Sequence, residues 1–357
     1  MGRQVRGQWG TKWLRAAFGA VVSLAGGLTA CGAAPAGVGD AGPATASKTD
    51  AGAAVADGAN PGDAPATQDG GPVLEAGAAD AGATDAGAAG DGVPGPPALA
   101  FAGTCPEWKT GVATITSAGF TRHVRVFLPQ EPKGAPVLFL WHGLGDAAAN
   151  MAAAFQAAKI AQDQGMVVVA PDSCCNAGAG AQGCCLIANA WGFAVKPEPD
   201  RALFRDTLHC LDQGLGIDRK RVYTMGFSAG ALWSTWLVMN EAPQLAAAVL
   251  WSGGVADFME WTPPTANVPV LVAWGGKMDI FGNGLVDFGE TSKTLIQKLR
   301  QGGHAVVGCN HGGGHTVPPG GQKWGLEFLL AHTWSGPPSA LTTTLPKSFP
   351  AYCQVEP

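Results

Sequence analysis

The chain lacks an apolar run long enough to span a bilayer, lacks a marked charge excess in its larger part, and from residue 32 to about 98 lacks any aromatic residue. Each absence excludes something. Residues 32–98 are almost wholly Ala, Gly, Asp, Pro and Thr, with few large aliphatics. Such a stretch cannot bury enough apolar surface to offset the entropy of ordering its backbone, so it is predicted to be disordered. Of 357 residues, this leaves 99–357 for one folded unit, an ordinary size for a single α/β domain.

Charge is scarce and unevenly spread. The net charge of −5 comes from 22 basic and 27 acidic residues. Arg3, Arg6, Lys12 and Arg15 stand in the first 31 residues without an acid, and residues 32–98 hold nine acids against Lys48, which leaves 17 basic and 18 acidic residues beyond. A near-neutral folded part gives nucleic acid no electrostatic footprint and suits an uncharged substrate. The Cys-x-x-Cys spacing of zinc sites is also missing. Besides Cys31 there are eight cysteines, Cys105, Cys174, Cys175, Cys184, Cys185, Cys210, Cys309 and Cys353. In an exported chain an even number points to disulfides, whose pairing spacing alone does not choose.

Export is read from the N-terminus. A basic segment, Arg3 to Arg15, precedes a short apolar one, Ala16 to Leu28, as in a signal peptide. It ends in Leu28-Thr29-Ala30-Cys31, which resembles the bacterial lipobox, so residues 1–31 read as a lipoprotein signal with Cys31 as the acylated residue. Gly32, not Asp, follows that cysteine, which in the Gram-negative sorting rule points to the outer membrane or cell surface, with release from the cell left open. The repeated Asp-Ala-Gly triplets at 40–42, 50–52, 80–82 and 85–87 fit a solvated spacer. As a flexible coil of about 68 residues it would span roughly 45 Å. The lipid anchor is the only membrane contact expected.

From residue 110 the pattern changes. Short β-branched runs at 112–116 and 123–128 lead into buried apolar strands at 137–141, 166–170, 221–225, 246–251 and 268–274, with a short strand at 305–308. Helices are predicted at 147–164, 201–211, 229–240, 291–301 and 323–332, the first opened by Asp146 as N-cap. Alternating strands and helices imply a mainly parallel central sheet with helices on both faces and an antiparallel N-terminal edge. The cysteine-rich stretch 171–200 fits neither pattern and reads as a stapled loop.

Between one predicted strand and the next helix stands Gly226-Phe227-Ser228-Ala229-Gly230, a G-x-S-x-G sequence in the context it requires. Glycines two residues to either side let the chain turn sharply and lift the serine above the sheet, which makes Ser228 the candidate nucleophile. An oxyanion needs backbone donors placed where its charge develops. The Ala229 amide is one, and the Leu144 amide, in the loop Trp141-His142-Gly143-Leu144-Gly145, is the other. His142 is read as bracing that loop, not as a base.

The acid and base should follow the serine in that order. Asp279 closes the strand 268–274 through Gly275-Gly276-Lys277-Met278 and is the favoured acid over Asp257 and Asp287. His315, in Gly312-Gly313-Gly314-His315, is the favoured base, with His311 its rival and His304 and His332 structural. The acidic cluster Asp279, Asn283, Asp287 and Glu290 lacks EF-hand spacing and reads as a solvated loop, so no metal or other cofactor is expected. Trp141, Trp191, Trp251 and Trp274 lie near strand ends, either as an aromatic platform for substrate or as core packing.

Together, His142-Gly143, Arg221-Val222-Tyr223 leading into the serine motif, Trp251-Ser252-Gly253-Gly254 and Gly313-Gly314-His315-Thr316-Val317-Pro318 resemble the secreted polyhydroxybutyrate depolymerase and feruloyl esterase branch of the α/β-hydrolases. The resemblance spans about residues 110–335 and implies an α/β-hydrolase fold and hydrolysis of acyl or aryl esters, polymeric or small, through an acyl-enzyme without a cofactor. The chain differs in carrying Leu144 where such proteins often have Cys. A serine peptidase on the same triad, or a non-catalytic surface-binding lipoprotein, are the alternatives.

Overall fold

A computed structural model describes residues 95–173, 190–193 and 196–357. The signal segment with Cys31, the spacer up to residue 94, and Cys174, Cys175, Cys184 and Cys185 lie outside the described residues.

Among the described residues one nine-stranded sheet forms the centre. Its strands are β1 (Gly111–Ser117), β2 (Phe120–Phe127), β3 (Val137–Trp141), β4 (Val167–Pro171), β5 (Val222–Phe227), β6 (Ala247–Trp251), β7 (Val270–Trp274), β10 (Val306–Asn310) and β11 (Cys353–Val355). They are ordered β1-β2-β4-β3-β5-β6-β7-β10-β11. Strands β4, β3, β5, β6, β7 and β10 run parallel, and β1 and β2 join antiparallel at one edge. A small separate hairpin pairs β8 (Ile280–Phe281) with β9 (Val286–Asp287).

The central strands are buried on both sides, which explains their unbroken apolar runs. Alternate residues serve opposite faces. Val137, Phe139 and Trp141 pack with α3 (Glu198–Leu215), α4 (Ala229–Asn240) and α5 (Phe288–Gln301). Leu138 and Leu140 pack with α1 (Ala148–Ala154), α2 (Ala157–Gln164) and α6 (Gly321–Leu330).

Three features depart from the sequence expectation. The helix predicted at 147–164 is two helices, broken at Phe155 and Gln156, where Gln156 takes φ +52°. The break lets Phe155, Met151 and Ile160 all reach the core. Asp146 does not cap the first of them through its own side chain; Asp172 Oδ1 instead accepts the Ala148 amide at 2.8 Å. The sheet has a second antiparallel edge, because β11 pairs with β10 in the register Cys309↔Cys353 and a disulfide joins that pair. A further disulfide, Cys105–Cys210, ties the segment before β1 to α3.

Candidate active site

The site gathers at the carboxyl ends of the parallel strands, where loops and helix N-termini converge. Ser228 sits between β5 and α4 with φ +56° and ψ −121°, a conformation L-residues avoid unless the surroundings impose it. The surroundings do. Its amide donates to the Trp251 carbonyl at 2.9 Å, and its carbonyl accepts the Ala231 and Leu232 amides. A Cβ on Gly226 would stand 2.2 Å from the Gly230 carbonyl oxygen, and one on Gly230 would stand 2.0 Å from that of Trp141. No larger residue fits either position, so the glycines of the motif are steric requirements.

The structure brings Ser228, His315 and Asp279 into one hydrogen-bonded line. Ser228 Oγ lies 2.9 Å from His315 Nε2, and His315 Nδ1 lies 2.6 Å from Asp279 Oδ1. Asp279 is fully buried, whereas the His315 side chain keeps a quarter of its surface exposed. The second carboxylate oxygen accepts the Ser252 hydroxyl and the Gly275 amide, both at 2.8 Å. Three hydrogen-bonding partners, Ser252, Gly275 and His315, hold this buried carboxylate in one orientation. Phe227 and Phe288 lie against the His315 ring, with centroids 4.9 and 4.7 Å away. In the sequence Ser252 and Phe227 stand within motifs without a role of their own, and Phe288 carries no signal. Only the spatial arrangement reveals what these three touch.

The loop after β3 reaches the serine from the other side: a Cβ on Gly143 would stand 3.5 Å from Ser228 Cβ. His142 is fully buried and braces this loop. Its Nε2 faces the Ser173 amide at 3.2 Å and its Nδ1 faces the Gly143 carbonyl at 2.8 Å. Since the Ser173 amide N–H can only donate, Nε2 accepts, and the proton of the neutral ring resides on Nδ1 and donates to the Gly143 carbonyl. Burial lowers the pKa of His142, against the opposing pull of the Gly143 carbonyl, so the neutral form persists. In a trans peptide the N–H points opposite to the C=O. Fixing the Gly143 carbonyl therefore fixes the direction of the Leu144 N–H. Among the described residues, the Leu144 and Ala229 amides donate to no other group.

The remaining site residues are elsewhere engaged. The His311 ring stands beside Tyr352 and its Nδ1 accepts the Gly313 amide. His304 accepts the Val268 amide, and His332 Nδ1 contacts the Phe328 carbonyl. Asp287 caps α5 through the Glu290 amide at 3.1 Å, and Asp257 is exposed. Among the described residues no group of three His, Cys, Asp or Glu side chains is placed to hold a metal.

The tryptophans do not form an open platform. Trp141 and Trp251 are fully buried, and Trp191 and Trp274 keep only 4% and 8% of their surface. Trp141 donates to Thr224 Oγ1 at 2.9 Å, and Trp251 packs edge-on against Trp324. Near strand ends such large rings complete the core beneath the site. The exposed apolar side chains here are instead Met278, at 72%, and Ile280, at 43%, on either side of buried Asp279. Met278 lies beside Gly314.

No protein-family model and no curated sequence matches the chain. Solved structures do. The chain is similar to sOPH in its native form at 20% identity, with a TM-score of 0.57 over 71% of this chain and 96% of that one. Native pOPH aligns at 19% identity and a TM-score of 0.55, covering 71% of this chain and 97% of the other. These likenesses and the strand order establish the α/β-hydrolase fold.

Proposed function

We propose that the protein is a serine hydrolase of carboxylic esters, with Ser228, His315 and Asp279 as its triad. The observation that carries this reading is the 2.9 Å contact between Ser228 Oγ and His315 Nε2, on a hydroxyl raised at a strained strand-to-helix turn. His315 Nε2 takes the hydroxyl proton as Oγ attacks the ester carbonyl carbon. The carbonyl oxygen gathers negative charge and is held by the Leu144 and Ala229 amides, with the N-terminus of α4 behind it. Imidazolium forms beside the Asp279 carboxylate, which stabilises it and holds its tautomer. His315 then passes its proton to the departing alcohol oxygen and an acyl-serine remains. Water repeats the sequence, releasing the acid and restoring the hydroxyl.

Exposed Met278, beside Gly314, supports a substrate with an apolar acyl or aryl part. The resemblance to the depolymerase and feruloyl esterase branch supports esters over amides, and a pOPH variant, from the proteins similar in fold, is described in complex with pNPB. Cys31 as an acylated anchor and residues 32–98 as its spacer belong to the same reading: a bacterial lipoprotein whose catalytic unit works away from an outer membrane or cell surface, or after release from it.

The test is a panel of p-nitrophenyl esters, methyl ferulate, polyhydroxybutyrate film and peptide anilides, with Ser228→Ala as control. Turnover of esters, not anilides, that vanishes in the control is expected. Anilide turnover, or ester turnover that survives Ser228→Ala, overturns the reading.

A further inference from the structure

A fully buried guanidinium in this fold takes no part in the chemistry above. Arg122, on β2, is fully buried and faces Asp200 at the start of α3, whose side chain is 4% exposed. Taking such a pair out of water is costly, and an apolar pair of equal volume would commonly serve stability as well. The pair is therefore better explained by what it positions.

Its bonds lead in two directions and meet again. Arg122 Nη2 donates to Asp200 Oδ1 at 2.8 Å and to the Asp172 carbonyl at 3.1 Å, while Nη1 donates to the Pro199 carbonyl at 3.2 Å. One branch runs through Asp172 to its neighbour Ser173, whose amide donates to His142 Nε2 at 3.2 Å. The other runs through Asp200 Oδ2, which accepts the Gly192 amide at 2.8 Å, to the neighbouring Trp191, whose indole N–H donates to the His142 carbonyl at 2.8 Å. Both branches end on His142, one on its ring and one on its backbone. The ring branch sets which nitrogen carries the proton, and hence the donor to the Gly143 carbonyl. The backbone branch fixes the peptide immediately before Gly143. Between them they leave the Gly143–Leu144 peptide a single direction.

We propose that the buried Arg122–Asp200 pair is the positioning centre of the oxyanion hole, acting through Ser173 and Trp191 on His142. The inference rests on the ester-hydrolase reading, since it needs the Leu144 amide to hold a developing oxyanion.

The test removes one link and keeps an aromatic ring in its place. The Trp191 side chain packs edge-on to Trp141 at 4.9 Å and parallel to Trp233 at 6.4 Å, so Trp191→Phe keeps apolar packing and loses the N–H. Three quantities are measured on the full chain with a short p-nitrophenyl ester: kcat, KM, and the inhibition constant of a short alkylboronic acid. Ser228 Oγ adds to boron, His315 takes its proton, and the tetrahedral boronate occupies the oxyanion position. Losing one oxyanion donor commonly costs about 100- to 1,000-fold in kcat, and misdirecting one should cost about 10- to 100-fold. We expect that loss in kcat, KM within about three-fold, and a weakening of boronate binding that parallels kcat/KM. A folded variant with kcat and boronate affinity within about two-fold of wild type, or with KM rising while kcat holds, overturns the inference.

Should Trp191→Phe fail to fold, wild-type NMR answers the same question. Boronate saturation should shift the Trp191 indole N–H and the His142 Nδ1–H together, and unshifted resonances overturn the inference. A wild type that hydrolyses no ester fails the parent reading instead, so the two failures are distinct.

Discussion

The Gly314 amide donates to the Gly275 carbonyl at 2.9 Å, and the two backbones are so close that a Cβ on Gly275 would stand 1.8 Å from the Gly314 carbonyl oxygen. Gly275 also donates its own amide to Asp279 Oδ2, while Gly314 directly precedes His315. The loop that carries Asp279 and the loop that carries His315 are thus joined through two glycines. This contact sets the spacing on which the 2.6 Å Asp279–His315 bond depends.

Gly275→Ala should push those loops apart. Overpacking of this kind costs about 1–3 kcal/mol. A misplacement of about 1 Å can cost about 100-fold in rate. Thermal unfolding and ester turnover measured on one preparation should show both losses.

Ser252 is fully buried, takes φ +53°, and places its hydroxyl on Asp279 Oδ2 at 2.8 Å. Ser252→Ala leaves the Gly275 amide and His315 on the carboxylate but removes one donor. A hydrogen bond to a charged group is worth about 1.5–3 kcal/mol, so stability should fall by about that amount. Activity should fall by about ten-fold, because Asp279 holds the imidazole less firmly. Denaturant melts and kcat check the two effects separately.

His142 gives a prediction through stereochemistry. Asn carries an N–H near the place of Nδ1, whereas Gln carries its amide near the place of Nε2. His142→Asn should keep the donor to the Gly143 carbonyl and retain activity within about ten-fold, while His142→Gln should lose about 100-fold. Steady-state kinetics of the two variants, compared at equal folded fraction, measure the difference.

Burial lowers the pKa of His142, His304, His311 and His332 alike. For each of them the unfolded chain binds a proton more readily than the folded one. Their contribution to stability is therefore complete above about pH 6.5 and is lost as pH falls below it towards the folded-state values. Melting temperatures recorded between pH 8 and pH 5 should decline below that point and stay level above it.

The disulfide Cys309–Cys353 closes a loop of 44 residues and holds β11 on β10, the strand that leads into the His315 loop. Removing it through Cys309→Ser together with Cys353→Ser should lower stability by about 2–4 kcal/mol, measured by urea unfolding of the oxidised protein and the double variant.

The parts of this fold legible in the sequence are those whose physics is local. The strands at 137–141 and 268–274 announce themselves because burial on both faces demands continuous apolar residues. Gly226 and Gly230 are legible because a turn this tight admits no side chain. Asp279 and His315 stand out by their order and by their place after strands, and the fold brings both to Ser228. Other features depend on partners distant in sequence. β11 is only three residues long and is defined by its pairing with β10. The helix break at Gln156 carries neither glycine nor proline, and arises because Phe155 turns into the core. Arg122 looks like an ordinary polar residue of an alternating strand, and only the fold brings Asp200 and the Asp172 carbonyl to it. For the tryptophans the sequence leaves platform and core packing both open, because strand ends adjoin both the site and the core, and their burial decides for packing.

The most direct measurement is rapid acid quenching of the protein during turnover of a short p-nitrophenyl ester, followed by mass spectrometry of the peptide containing Ser228. The acyl group should be found on Ser228, in step with a burst of p-nitrophenol, and should be absent from Ser228→Ala. Ester hydrolysis that proceeds with Ser228 unmodified and continues undiminished in Ser228→Ala would contradict the assignment.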